Sequence, residues 1–226
     1  MIYCISDIHG EYELFCRLLD KVRFGGGDTL FVLGDMIDKG TQSLRLARAV
    51  LSMPDAAVIA GNHEYDLVKI YRARADEYGD AEAAADTLRA YFPGEEKLMD
   101  VGLAERLAAL PYFLRTKDML CVHAGVPLSA DGGILPPERA SREQLVYDRV
   151  FKEPSVRPKD SPCVVFGHTP TRYIGGRDGV LLYPRSSVPP RSVRDLVKAH
   201  IDTGVTLGGV LGIFRADDCR AFYVHS

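Results

Sequence analysis

An α/β fold built on parallel strands is what this sequence predicts. Across the first sixty residues, short apolar runs alternate with amphipathic stretches of helical period. Small turn residues, chiefly glycine, punctuate the junctions. Polar groups able to bind metals or move protons stand directly after the apolar runs, at the carboxyl ends of strands, where open α/β sheets gather their ligands.

Ile2–Ile5 reads as the first strand. Tyr12–Val22 follows as a helix, because Leu14, Phe15, Leu18, Leu19 and Val22 recur at helical spacing. Gly25-Gly26-Gly27-Asp28 breaks the chain before a second strand at 29–33. Ser43–Leu51 is helical through Leu44, Ala47, Val50 and Leu51, and 57–60 is a third strand, so two right-handed crossovers are expected. Residues 65–78, 80–90 and 97–110 read as helices, with Pro93-Gly94 between the last two, and together they predict a helical cap over residues 65–112. Strands resume at Met119–Val122 and Cys163–Phe166, and the tail at 199–202, 209–214 and 220–224 reads as a meander. Between them, residues 171–198 carry Gly175-Gly176, Pro184, Pro189-Pro190 and Arg172, Arg177, Arg185, Arg191 and Arg194. They read as a solvated loop in preference to a substrate-contacting lip.

The chain has 226 residues, 46% apolar and 26% charged, enough for one sizeable core with a small lid, so residues 1–226 are expected to form a single domain. A formal charge of -3 creates no field that would draw in nucleic acid or an acidic membrane, and no apolar stretch approaches spanning length. Neither partner is expected. The five cysteines are an odd set, and Cys4, Cys121 and Cys163 lie inside apolar runs, which points to free thiols in a reducing compartment. With no leader-like pattern at Met1-Ile2-Tyr3-Cys4-Ile5, a cytoplasmic protein is expected. Oligomeric state is left open.

The chemistry falls at five strand ends: Ser6-Asp7-Ile8-His9-Gly10, Gly34-Asp35-Met36-Ile37-Asp38-Lys39-Gly40, Gly61-Asn62-His63-Glu64, His123-Ala124-Gly125 and Gly167-His168-Thr169. Taken singly, each has a plainer reading as a turn, a helix cap or a satisfied core histidine. Their conjunction changes the reading, since four of the six histidines lie in these segments. Aspartate, histidine and asparagine offer hard oxygen and imidazole nitrogen, a set suited to manganese, iron or zinc and less to calcium. A phosphate ester needs such ions to neutralise its oxygens, to turn water into hydroxide near neutral pH and to hold the attack in line, and two ions about 3.5–4 Å apart do all three. Asp35, central in the order of motifs, is the candidate to stand between them.

This ordered series resembles the phosphoprotein phosphatase branch of the calcineurin-like metallophosphoesterases, and the tail Ile201-Asp202-Thr203-Gly204 followed by Gly208-Gly209 resembles its bacterial and phage members. The resemblance implies a sandwich of two mixed β-sheets flanked by helices. It implies that Asp7, His9 and Asp35 hold one divalent ion while Asp35, Asn62, His123 and His168 hold the other, manganese being the first choice. His63 would be the general acid for the leaving group, held by Asp38, and Glu64 would sit at the start of a helix. Lys39 stands where the family usually has arginine, so Arg149, in Tyr147-Asp148-Arg149, becomes the stronger candidate for gripping phosphate. The core fixes chemistry and leaves the substrate open. A serine/threonine phosphoprotein phosphatase is the first expectation; a symmetrical diadenosine tetraphosphate hydrolase and a non-catalytic phosphate-binding scaffold are the alternatives.

Overall fold

A computed structural model describes residues 1–159 and 161–226. In chain order the elements are β1 (Ile2–Ile5), α1 (Tyr12–Val22), β2 (Thr29–Val32), α2 (Ser43–Leu51), β3 (Ala56–Val58), α3 (Asn62–Tyr78), α4 (Ala81–Leu88), α5 (Val101–Ala108), β4 (Phe113–Arg115), β5 (Met119–Val122), α6 (Arg142–Tyr147), β6 (Cys163–Phe166), α7 (Arg172–Gly175), β7 (Leu181–Pro184), β8 (Leu196–His200), β9 (Val210–Arg215) and β10 (Arg220–His225).

The strands form two five-stranded sheets, ordered β10-β9-β1-β2-β3 and β4-β5-β6-β8-β7. β1, β2 and β3 run parallel, with β9 and β10 added antiparallel; β5, β6 and β8 run parallel, with β4 and β7 antiparallel at the edges. Both sheets are therefore mixed.

Period-two alternation explains why the parallel strands read as unbroken apolar runs. Cys4, Phe31 and Leu33 face inward and meet Met119, Cys121, Cys163 and Val165 of the other sheet in one buried cluster. Their neighbours Tyr3, Ile5, Leu30 and Val32 face outward, against Leu14, Phe15 and Leu18 of α1 and Leu44, Ala47 and Val50 of α2. On the far side, Leu120, Val122, Val164 and Phe166 pack against Leu145 of α6 and Phe151. The result is a sandwich of two mixed sheets flanked by helices, the architecture implied by the resemblance.

Polar caps set the helix limits within residues 65–112. Asp80 accepts from Glu82 N–H (2.8 Å) at the start of α4, and Asp100 from Leu103 N–H (2.7 Å) at the start of α5. Gly79, at φ 64°, closes α3. α3 begins at Asn62, three residues ahead of its expected start, so Asn62, His63 and Glu64 form its first turn.

Residues 171–198 depart from the expected loop. They hold α7, β7 and the first part of β8, because Leu181, Leu182 and Tyr183 pair antiparallel with His200, Ala199 and Lys198. As an edge strand, β7 tolerates Pro184 at its end. The loop's arginines are largely committed: Arg172 to Asp178, Arg194 to Asp118, and Arg185 to the carbonyls of Arg194 and Ser161. β4 at Phe113–Arg115 was not foreseen. No helix among the described residues is long and apolar enough to cross a membrane.

Candidate active site

The carboxyl ends of β1, β2, β5 and β6 and the start of α3 converge on one edge. The turns after β1 and β2 run side by side, joined by Asp7 N–H to Gly34 O (3.1 Å), His9 N–H to Asp35 O (2.9 Å) and Gly10 N–H to Met36 O (2.8 Å). Across the two sheets, His168 N–H donates to Asp7 Oδ2 (3.0 Å) and the His123 ring donates from Nδ1 to Leu33 O (2.7 Å). His9 likewise meets Ile37 O through Nδ1 (3.0 Å). A carbonyl can only accept, so Nδ1 carries the proton in both rings and Nε2 is turned inward.

Asp35 is the hub. Its Oδ2 lies 3.6 Å from His9 Nε2, 3.8 Å from His63 Nε2 and 3.5 Å from His123 Nε2. Its Oδ1 accepts from His63 N–H at 3.1 Å. On the other flank Asn62 Oδ1 sits 3.1 Å from His123 Nε2 and 2.8 Å from His168 Nδ1. Among the described residues, two groups of imidazole and carboxylate atoms lie within 4.8 Å of one another, His9, Asp35 and His63, and Asp35, His123 and His168; Asp35 belongs to both. Asp7 is buried beside them, tied to the His168 backbone, but lies outside both tight groups, and His63 stands in the first group where the sequence placed Asp7.

The donors fit divalent cations. Burial alone would raise the Asp35 carboxyl, yet His123, His9 and His63 together hold it far below the usual carboxylate range. Burial opposes charge on His123, but Asp35 carries its imidazole up to about 10. A buried carboxylate ringed by three imidazoles suits a cation beside it, and a divalent ion there would take over the positive charge that His123 supplies. Burial and His123 bring His168 down to about 3, so it is neutral, and its Nε2 is buried with no hydrogen-bond partner.

His63 is the more accessible imidazole, with its side chain 20% exposed and Nδ1 at 2.7 Å from Asp38 Oδ2. Burial lowers its proton affinity, but the bond to Asp38 and the charge of Asp35 prevail and raise it. Lys39 Nζ reaches His9 Nε2 at 3.0 Å. Arg149 is exposed just after α6, and its charge is felt at His168. Tyr147, at the end of α6, meets the His168 ring edge-on with centroids 6.2 Å apart, and its hydroxyl donates to Asp66.

Two residues exceed their sequence reading. Glu64, expected only to start α3, is fully buried and accepts four backbone N–H bonds: Asp35 (2.8 Å) and Gly61 (2.9 Å) on Oε2, Met36 (2.8 Å) and Ile37 (3.2 Å) on Oε1. It therefore fixes the turn that presents Asp35. Asp202, following β8, is a further buried carboxyl, raised well above its usual range by burial and by Asp7. The motif Asp202-Thr203-Gly204 was visible in the sequence, but its place under the centre was not.

The chain belongs to the calcineurin-like phosphoesterase family, whose model matches residues 1–200. It is a metallophosphoesterase, and that family works with divalent metal ions. A relative from Xanthomonas euvesicatoria pv. vesicatoria (strain 85-10), named a symmetrical bis(5'-nucleosyl)-tetraphosphatase, is 33% identical over 96% of this chain and 81% of its own length. One from Geobacillus sp. (strain WCH70), named an asymmetrical bis(5'-nucleosyl)-tetraphosphatase, is 24% identical over 98% of this chain and 93% of that protein. Among solved structures, a putative diadenosine tetraphosphatase superposes with a TM-score of 0.69 at 21% identity, covering 100% of this chain and 93% of its own, a likeness of fold.

Proposed function

We propose that this phosphoesterase hydrolyses dinucleoside polyphosphates, cutting diadenosine tetraphosphate symmetrically. The observation that carries the substrate class is the near full-length similarity to a relative named for that reaction. It moves the dinucleoside reading ahead of the phosphoprotein phosphatase reading that the sequence put first. Residues from both sheets meet at one centre, which supports treating 1–226 as one domain with the 65–112 helices as its cap. Buried free Cys4, Cys121 and Cys163 support a cytoplasmic setting.

In this reading Asp7, His9 and Asp35 would hold one ion, and Asp35, Asn62, His123 and His168 would hold the other, with manganese the first choice and iron or zinc also compatible with the donors. Once bound, such a pair supplies Lewis-acid neutralisation of phosphate oxygens and lowers the pKa of water. The chain's own groups do the rest. Arg149 and Lys39 place cationic charge on either side of the centre and orient the phosphate chain. Nδ1–H of His9 and of His123 is held by the carbonyls of Ile37 and Leu33, which keeps Nε2 turned inward, so neither ring turns during the reaction. His63, gripped by Asp38 and partly open to solvent, gives its proton to the departing oxygen. We assign it to proton transfer although its Nε2 is within metal reach, because its side chain stays partly open to solvent and the bond to Asp38 favours its protonated form.

The test is a panel with purified protein and added manganese: diadenosine tetraphosphate, a phosphoserine peptide and p-nitrophenyl phosphate, with products separated by chromatography. ADP as the sole nucleotide product and the highest kcat/KM for the dinucleotide are expected. ATP with AMP would refute symmetrical cleavage, and a higher kcat/KM for the phosphopeptide would restore the protein phosphatase reading.

A further inference from the structure

Resting on the dinucleoside reading, we infer that the cleft between residues 38–43 and 91–95 is a nucleoside subsite, with Tyr91 as the surface on which a purine base stacks. The cleft has a volume of about 250 Å³ and is lined by Asp38, Lys39, Thr41, Tyr91, Phe92 and Glu95, among others. It thus starts at the residue that grips His63 and at the lysine that touches His9. A base in it would be joined through ribose to phosphates lying directly over the candidate metal centre.

The far wall is rigid. Glu95 accepts from the N–H groups of Leu44 and Arg45 (both 2.9 Å), fastening the 91–95 turn to the start of α2. Phe92 is buried in the core, and Glu95 N–H returns to Phe92 O at 3.0 Å. On this anchored turn Tyr91 leaves 54% of its surface open, an unusual exposure for so large a ring. No ring stack or cation–ring pair among the described residues involves it, although it also borders the hollow of Ile70, Arg74 and Tyr78, where Arg74 lies 6.0 Å over the Tyr78 ring. The near wall holds Asp38 and Lys39 in left-handed backbone (φ 73° and 67°), which turns both side chains out of the strand-end line. An aromatic face on a fixed wall, one lysine from the phosphate path, is the arrangement that recognises a base without reading its edges.

A phosphopeptide would reach the same centre without needing an aromatic platform, so the test compares ligands that differ only by the nucleoside. ADP and inorganic phosphate are titrated as competitive inhibitors of p-nitrophenyl phosphate hydrolysis in the wild type, Tyr91→Ala and Tyr91→Phe, with melting curves to confirm folding. The readout is the ratio of the phosphate inhibition constant to the ADP inhibition constant. Base–aromatic stacking corresponds to roughly 5- to 160-fold in affinity, so Tyr91→Ala is expected to lower that ratio by this factor while Tyr91→Phe, which keeps the ring, retains it. Equal ratios in wild type and Tyr91→Ala overturn the subsite, whatever the substrate panel shows. A ratio that collapses in Tyr91→Ala, in a protein that fails to cleave diadenosine tetraphosphate, keeps the subsite and removes the dinucleoside reading instead.

Discussion

Replacing Glu64 by glutamine removes one oxygen from a carboxylate that organises the centre without touching substrate. Both oxygens are saturated, each by two backbone donors at 2.8–3.2 Å. That leaves no position for a carboxyl proton, so the group is ionised in the native fold even though burial and the charge of Asp35 push its proton affinity up. Glutamine keeps one oxygen and sets an NH2 against the other two N–H groups. Each buried donor left unmatched costs about 1–3 kcal/mol, and partial relaxation of the pair brings the expected loss to about 3 kcal/mol. In urea this appears as a midpoint lowered by about 1–2 M at unchanged m. The displaced donors include Asp35 N–H itself, so metal content should fall with stability, and activity by about a hundredfold for a shift near 1 Å. Unfolding within about 0.5 kcal/mol of wild type, with both ions retained, would mean that Glu64 is protonated in the native state and that its four bonds do not hold the Asp35 turn.

His63→Asn is expected to keep metal content and to lower kcat most for alkyl phosphates, less for p-nitrophenyl phosphate and dinucleotides, whose leaving groups need little protonation; equal losses on all three would sink the acid assignment. Asp38→Asn removes the negative charge that helps to raise His63, and since the acid works only below its own pKa, the alkaline limb of kcat on an alkyl phosphate should move to lower pH; a limb that stays in place would detach Asp38 from the proton. Lys198 is fully buried, donating to Phe151 O (2.6 Å) and Glu153 O (2.7 Å), and burial lowers it to about 8 from 10.5. The unfolded chain then holds a proton between those values that the native fold lacks, so stability relative to Lys198→Met should rise with pH across that window by on the order of 3 kcal/mol; equal slopes in the two proteins would contradict it. Lys39→Gly should be more stable than Lys39→Ala by about 1 kcal/mol, because alanine keeps a Cβ at φ 67°; the reverse order in urea would show that this turn is unstrained.

The strands and their terminal motifs were legible because each signal is local. A strand buried on both faces writes an apolar run, as in Met119–Val122, and the polar group after it is next in sequence. What escaped depends on partners distant in the chain. β7 exists because Leu181 finds His200, and nothing within residues 171–198 announces that pairing. Glu64 is spaced as an ordinary first-turn acid, and its larger task appears only when the 35–37 turn, 27 to 29 residues away, points its N–H groups at α3. The same limit applies to Tyr91, an exposed tyrosine in sequence terms, which acquires a role only from the position of residues 38–40 opposite it.

The backbone of the centre shows why so many bonds converge there. Asp7, His9, Asp35, Asp38, Lys39 and His168 all adopt positive φ, between 47° and 73°. For residues with a Cβ that conformation costs roughly 1–2 kcal/mol each, somewhat less for aspartate and histidine, so the six together approach the net stability of a typical domain. Glycine would relieve the strain but would deliver no ligand, which forces the conflict at these positions and not at their neighbours. The fold resolves it by over-determining the two turns: three backbone bonds join 7–10 to 34–36, and the Glu64 carboxylate ties the second turn to α3. At Gly167 the crowding is carried a step further, since any side chain there would overlap Ser6 Oγ and Asp7 Oδ2. The candidate ligands are therefore positioned by main-chain constraints that need no cation, so binding energy from divalent ions would go into affinity instead of into assembling the site.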